Sequence, residues 1–341
     1  MKKKKWTLLY IALNIVVITL VGLLDPDLKD LGGIFNNVRP LWVISAVISM
    51  FFFWLIDGVI LNYSVGVVHK PRSFWPCLRV SIIGHYYNAV TPFASGGQPA
   101  QIYYMGKIGV PGGSASSVLM FKFLVYQVIL SLFSVAAFVW KGSLIYNQSP
   151  WVFWFSVGGF IINAGAVGLL LSLSIKKGFI RALVFKTIDF LKAIRLVKDP
   201  DKVKGKLDSH VDDFLIGIKL IKKNTKALVN MGLMTTLQLI CYFSVTFFIY
   251  RSFGLQNEKW INIIFIQSLL YLALTFVPTP GSTGASETGF IFFFRLFFPS
   301  NLIFVSMVLW RIISYYLNIL AGLVIILYDS LRQIVSHEVS R

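Results

Sequence analysis

The sequence has few charged residues, few cysteines and few histidines. Only 13% of its 341 residues are Asp, Glu, Lys or Arg, about half of the share found in soluble domains. Two cysteines and four histidines give neither a disulfide framework nor a metal-ligand spacing, and the sequence contains no HExxH, P-loop or nucleophile-elbow motif. These shortages exclude an ordinary soluble enzyme and a secreted disulfide scaffold, and they predict no metal site and no cofactor.

The chain is instead rich in apolar and aromatic residues. Hydrophobic residues make up 56% of it, including 30 Phe, 14 Tyr and 9 Trp, and apolar runs of about twenty residues recur. This pattern predicts an all-α integral membrane protein that forms a single polytopic domain over residues 1–341. We attribute the net charge of +18 to basic loops on the cytoplasmic side of a membrane, so no nucleic-acid partner is predicted.

The apolar runs predict about six full spans and two interrupted, re-entrant segments. The predicted full spans are residues 6–24, 41–68, 114–140, 151–174, 227–250 and 301–328. Lys and Arg collect at the N-terminus, in 69–79, in 176–226 and at the C-terminus, so the positive-inside rule places both termini in the cytoplasm. The segment 176–226 also has apolar residues at helical spacing, which predicts an amphipathic helix pair on the inner membrane face. It either anchors the topology or docks a partner, and it separates a first half, 1–175, from a second half, 227–341.

Prolines and glycines interrupt the predicted membrane segments 77–107 and 260–298. The interruptions are Thr-Pro-Phe-Ala-Ser-Gly-Gly-Gln-Pro at 91–99 and Pro-Thr-Pro-Gly-Ser-Thr-Gly-Ala-Ser-Glu at 278–287. The charge distribution predicts that the first segment enters from the cytoplasm and the second from outside. Two such segments in corresponding places indicate an inverted-repeat transporter, while two plain packing turns between ordinary helices are the alternative.

Each interruption creates a new helix N-terminus at membrane depth. Backbone N–H groups and the positive end of the helix dipole favour an anionic group there, and backbone that cannot be satisfied by lipid must line a polar cavity or be buried in protein. The residues predicted to bind substrate for this reason are Ser95, Gly96, Gly97, Gln98, Gln101, Gly281, Ser282, Thr283 and Gly284.

Ionisable residues inside the apolar segments are the second functional signal, because such residues are costly in lipid. Lys122, Arg295 and Arg311 are predicted to hold an anionic head group, while Asp57 or Glu287 pairs with them or takes up a proton. Structural ion pairs that lock the helices together are the alternative.

His85 lies among aromatic residues just before the first interruption. A single histidine in such surroundings is more often a hydrogen-bonded packing residue than a ligand, and we predict that role for it. If the chain were instead an enzyme, His85 would supply acid–base chemistry together with Asp57 and Glu287.

Residues 91–101 and 278–287 resemble the paired motifs of the lysylphosphatidylglycerol synthase transmembrane family, whose members are flippase-like membrane proteins of bacteria and archaea. The resemblance covers nearly the whole chain, although Ser282 and Thr283 stand where many relatives are richer in glycine. It implies a translocase-like module in the bacterial inner membrane. The soluble synthase domain of the full-length enzymes, which uses aminoacyl-tRNA, is not expected within these 341 residues.

The predicted function is therefore the translocation of an anionic or aminoacylated phospholipid, or a polyprenyl-phosphate-type lipid, between leaflets. The absence of a nucleotide motif predicts coupling to protons or to the membrane potential, if transport is coupled. Two alternatives are a membrane enzyme or accessory subunit that modifies a lipid head group, and a small-solute secondary transporter. A homo-oligomer and a lipid-modifying partner enzyme are both left open.

Overall fold

The computed structural model describes residues 38–70, 72–148, 150–175, 186, 200–275 and 277–339. These residues are almost entirely helical and include no β-strand, so the predicted all-α class is confirmed. The predicted span 6–24 and the part of the basic segment at 176–199 lie outside the described residues.

Eleven α-helices lie in the described part of the chain. They are α1 (Pro40–Val68), α2 (Phe74–Val90), α3 (Gly97–Lys107), α4 (Gly112–Gln148), α5 (Pro150–Ile175), α6 (Pro200–Lys223), α7 (Thr225–Ser252), α8 (Trp260–Leu274), α9 (Ala285–Phe294), α10 (Ser300–Arg311) and α11 (Leu317–Val339).

Five stretches of these helices are long and apolar enough to cross a membrane. They are Pro40–Val68, Gly112–Ser143, Pro150–Gly168, Thr225–Ser252 and Ser300–Asp329, and they coincide closely with five of the six predicted spans. Two local signals fix where these helices begin. Pro40 opens α1, at a position where a missing N–H costs nothing, and the Asn224 side chain accepts a 2.9 Å hydrogen bond from the Ala227 amide at the start of α7.

Both interrupted segments pack against the spans. Helix α1 packs between α2 and α7, and α4 packs against α5, α6 and α8. Aromatic side chains join α9 to α10, since the Phe290 ring stacks 5.1 Å from that of Trp310 and 4.6 Å from that of Phe294. The short helices of the second interrupted segment are thus buried in protein, which supplies the surroundings that non-helical backbone needs in a membrane.

Both predicted interruptions are present, and they have the same construction. A 3₁₀ turn at Pro92–Ala94 joins α2 to α3, and a 3₁₀ turn at Pro280–Ser282 joins α8 to α9. The arms are 17 and 11 residues long in the first segment and 15 and 10 in the second. The turns also touch each other.

The backbone of the two turns matches at the two residues that follow each Thr-Pro pair. After the Thr-Pro pair, Phe93 and Ala94 have φ of 54° and 50°, and Gly281 and Ser282 have φ of 59° and 52°. Left-handed conformations of non-glycine residues cost roughly 1–2 kcal/mol each. A polypeptide therefore does not adopt this shape twice without a specific cause. It supports a repeat at the level of the interrupted segments, while the inverted relation of the whole halves stays a prediction.

The last predicted span is not one continuous helix. Helix α10 ends at Arg311, a π-helical turn occupies Ile312–Tyr316, and α11 continues from Leu317. Such π turns are uncommon and occur frequently at functional sites. Here the turn places Arg311 and Tyr315 beside the second interruption.

Helix α6 accounts for the described part of the basic segment, and it is amphipathic as predicted. Its apolar side chains Phe214, Ile218 and Ile221 pack on α1 and α4. The backbone approaches α4 closely at Gly217, where an added Cβ would overlap the Ser117 side chain.

Replacing Gly217 with alanine is expected to lower the stability of the protein by about 1–3 kcal/mol, because the packed face of α6 has no room for a methyl group. Thermal unfolding in detergent measures this. Gly165→Ala in α5 is the matched control, since nothing lies within 4 Å of a Cβ added there. If the two variants unfold at the same temperature, α6 does not pack on α4 in this way.

Candidate functional site

A cavity of about 370 Å³ lies where α1, α2, α4, α7 and α8 surround the two turns and the end of α10. Its volume falls in the range of roughly 300–1,000 Å³ that is typical of small-molecule sites. Asp57, Lys122 and Arg311 line it. Each lies ten or eleven residues from the nearer end of its apolar span (Pro40–Val68, Gly112–Ser143 and Ser300–Asp329), which is about 15–17 Å at 1.5 Å per residue. The cavity is therefore near the middle of the spans.

Asp57 is the centre of a charged cluster on one side of the cavity. Its Oδ2 lies 2.8 Å from Lys122 Nζ and 3.2 Å from His85 Nε2, and its Oδ1 accepts a 2.7 Å hydrogen bond from Gln238 Nε2. Only 2% of Asp57 is exposed, and a carboxylate so buried requires charged or hydrogen-bonding partners. The cluster ties together α1, α2, α4 and α7.

Arg311 and Glu287 form a second buried ion pair on the other side. Arg311 Nε lies 2.7 Å from Glu287 Oε1, and Arg311 Nη1 donates to the carbonyl of Gly281 at 3.2 Å. The second oxygen, Glu287 Oε2, accepts a 2.7 Å hydrogen bond from the Gly284 amide. The Arg311 guanidinium also lies 4.2 Å from the centre of the Tyr315 ring, an energetically favourable cation–π distance. One arginine thus holds the turn, the start of α9 and the π turn together.

The amides at the interruptions are bonded within the protein. Thr91 Oγ1 accepts from the Gly96 amide at 2.8 Å, and Asn88 Oδ1 accepts from the Gly97 amide at 3.0 Å. In the second turn the Gly284 amide goes to Glu287 and the Thr283 amide to the carbonyl of Pro280. Short polar side chains and a turn carbonyl therefore already engage these four amides, and anion binding at the two helix N-termini stays a prediction.

Half of the predicted site residues line the cavity. Those that do are Asp57, Gln98, Gln101, Lys122, Gly281, Ser282 and Arg311. Those that do not are Ser95, Gly96, Gly97, Thr283, Gly284, Glu287 and Arg295.

Glu287 and Arg295 stay outside the cavity for different reasons. Glu287 is fully buried behind Arg311, its partner. Arg295 is exposed, and its guanidinium lies over the Phe292 ring at 5.8 Å. Because α9 ends at Phe294, the short helix leaves Arg295 at its outer end, away from the site.

Three polar residues of the cavity wall, Tyr126, Gln238 and Tyr271, were not predicted from the sequence, and His85 was predicted in a different role. Tyr126 and Tyr271 share a hydrogen bond of 3.0 Å between their hydroxyls. Gln238 anchors Asp57, and His85, expected to be a packing residue, faces the same carboxylate. Amide side chains inside apolar segments are costly for the same reason as charges, and that signal points to Gln238 in α7.

The family model of the lysylphosphatidylglycerol synthase TM region matches residues 8–322. The chain belongs to this family. It is also similar to a protein from Archaeoglobus fulgidus described as a UPF0104 membrane protein, with 22% identity over 305 residues that cover 88% of this chain and 90% of the relative. The resemblance carried by the two interruptions is confirmed, and the matched residues include the whole cavity wall. The chain is a multi-pass membrane protein of a family named for lipid synthase membrane regions.

Proposed function

We propose that this protein translocates a phosphate-bearing lipid between membrane leaflets and binds the head group in the cavity. The observation that carries the proposal is the presence of Lys122 and Arg311 on the wall of a cavity near the middle of the spans. Ammonium and guanidinium groups are the preferred protein ligands of phosphate. The substrate class is an anionic phospholipid or a polyprenyl-phosphate-type lipid, and the proposed location is the bacterial inner membrane with both termini in the cytoplasm.

The shape of the cavity supports a lipid over a small solute. Phe93, which is 59% exposed, and the exposed Gln98 both line the cavity. The cavity therefore reaches the surface of the protein at the first turn. A head group can enter there while its acyl chains stay outside, whereas a solute carrier needs a compartment closed on its sides.

The contacts of the Glu287 carboxylate support transport without covalent chemistry. Both oxygens of Glu287 are bonded, and the side chain does not line the cavity. A general acid or base must reach the proton that it transfers, so Glu287 is badly placed for the enzymatic alternative. We propose that the lipid leaves the protein chemically unchanged.

We propose that the protein changes conformation where the two turns contact each other. Tyr315 on the π turn donates to the carbonyl of Ala89 at 3.1 Å, just before the first turn. The last span is therefore bonded to the first interrupted segment at the cavity wall, next to the contact between the two turns. Rearrangement of this junction would expose the head group to one side of the membrane and then to the other, as expected for broken helices in transporters.

A translocation assay tests the proposal. The purified chain is reconstituted in liposomes with a trace of acyl-labelled phosphatidylglycerol, and dithionite quenching reports the arrival of label in the outer leaflet. Gln98→Trp, which fills the cavity where it reaches the surface, is expected to slow translocation about tenfold or more, a barrier increase of roughly 1.4 kcal/mol.

Tyr103→Trp is the matched control, because Tyr103 is exposed on the same helix and does not line the cavity. It is expected to behave as wild type. Mass spectrometry of the recovered lipid separates transport from chemistry. A wild-type chain that moves no label, or that changes the lipid mass, contradicts the proposal.

A further inference from the structure

The charges at the cavity balance before any ligand enters. Asp57 pairs with Lys122, and Glu287, directly behind the wall, pairs with Arg311. Two cations and two carboxylates give no net charge. A phosphate monoanion would therefore bring one uncompensated negative charge into a largely buried volume, which is unfavourable unless a positive charge accompanies it.

We propose that His85 takes up a proton when an anionic head group binds, so that the protein moves a lipid anion and a proton together. This inference rests on the proposed function and adds the co-transported ion. Its basis is the position of His85, whose side chain lines the cavity, is 22% exposed and lies 3.2 Å from Asp57 Oδ2. Imidazole is the side chain that changes charge between about pH 5 and 8.

One ring nitrogen of His85 faces Asp57. Nε2 lies 3.2 Å from Asp57 Oδ2, and because a carboxylate only accepts, the Nε2 hydrogen of the imidazolium is the one that points to it. On binding, water on one side of the membrane gives up one proton and neutral His85 becomes an imidazolium. The monoanion then completes a neutral site, and both leave on the other side.

The groups that face His85 from the neighbouring helices favour this charge state. Helix α1 contributes Asp57 and the Phe53 ring, whose centre is 4.9 Å from the imidazole. Lys122 of α4 shares the same carboxylate oxygen, and Gln238 of α7 is neutral.

The remaining titratable groups of the cavity wall lie on α4, α7, α8, α10 and the π turn. They are Tyr126, Tyr242, Tyr271, Arg311 and Tyr315. Since Lys122 already neutralises Asp57, a protonated His85 leaves the cluster with one positive charge, which matches a monoanion.

Proton uptake by the wild-type protein is the direct test. The purified full chain, in weakly buffered detergent at about pH 7.5 with the dye pyranine, is titrated with short-chain phosphatidylglycerol. We expect uptake of about one proton per bound lipid, and none with phosphatidylcholine. Binding of phosphatidylglycerol without proton uptake overturns the inference and leaves the proposed function standing. If neither lipid binds, both the inference and the proposed function are overturned.

The pH dependence of binding identifies the group. Wild-type affinity for phosphatidylglycerol is expected to fall as the pH rises, by up to about tenfold per pH unit. His85→Gln is expected to flatten this dependence. His69→Gln should retain it, because His69 lies at the end of α1 near Arg72 and outside the cavity. A His85→Gln variant that binds with the wild-type pH dependence excludes His85 as the proton site.

Discussion

Replacing Arg311 with alanine is expected to abolish lipid translocation and to lower stability by roughly 3–5 kcal/mol, because it leaves Glu287 charged, buried and unpaired. Glu287 has no exposed area, and Arg311 has 3%. The same change also removes the donor to the carbonyl of Gly281 and the cation over Tyr315. Thermal unfolding in detergent and the liposome assay measure the two losses separately.

A double replacement separates the structural from the functional role of this arginine. Changing Arg311 and Glu287 together to glutamine removes both charges while keeping side chains of similar length. Replacement of a whole buried pair is often neutral for stability, so we expect most of the stability to return. Translocation should stay absent, because no cation then faces the head group from this side of the cavity.

Arg295→Ala is the matched control for the loss of an arginine in the last third of the chain. Arg295 is exposed and outside the cavity. The Arg295→Ala variant should therefore have the stability and the translocation rate of wild type. Normal translocation by the double glutamine variant would show that the Arg311–Glu287 pair only locks the helices together, and it would remove Arg311 from the site.

The spans and interruptions could be predicted because their signals are local in the sequence. Twenty apolar residues specify a crossing helix, and the Thr-Pro pairs at 91–92 and 279–280 mark the interruptions within a few residues. Asp57, Lys122 and Arg311 could also be predicted as site residues, because a charged side chain in an apolar segment is too costly to face lipid.

Which carboxylate pairs with which cation could not be predicted, since it depends on packing between helices far apart in sequence. Lys122 and Asp57 are 65 residues apart, and Gln238 is 181 residues from Asp57. The position of Arg295 could not be predicted either, because its distance from the cavity depends on where the short helix α9 ends. The π turn after Arg311 has the sequence Ile-Ile-Ser-Tyr-Tyr, and no proline or glycine in it marks a break in the helix.

Replacing Gly281 with alanine is expected to be the most damaging change of a glycine to alanine in the interrupted segments. Gly281 has φ of +59°, and an added Cβ would overlap the Tyr315 ring. Left-handed strain and overpacking together predict a loss of about 3 kcal/mol. Displacement of Tyr315 also disturbs its hydrogen bond to Ala89 and its contact with Arg311, so translocation should be lost as well.

Two other glycines separate the causes of that loss. Gly284 has φ of +89° and ψ of −54° with nothing within 4 Å of an added Cβ, so Gly284→Ala should cost only the backbone strain of about 1–3 kcal/mol. Gly165 has neither constraint, and Gly165→Ala should unfold as wild type. We expect the lowest unfolding temperature for Gly281→Ala, an intermediate one for Gly284→Ala and the highest for Gly165→Ala. This order would show that the contact with Tyr315 adds to the backbone strain. Equal temperatures for the first two variants would mean that the second turn is held by backbone conformation alone, and that Tyr315 can move away from it freely.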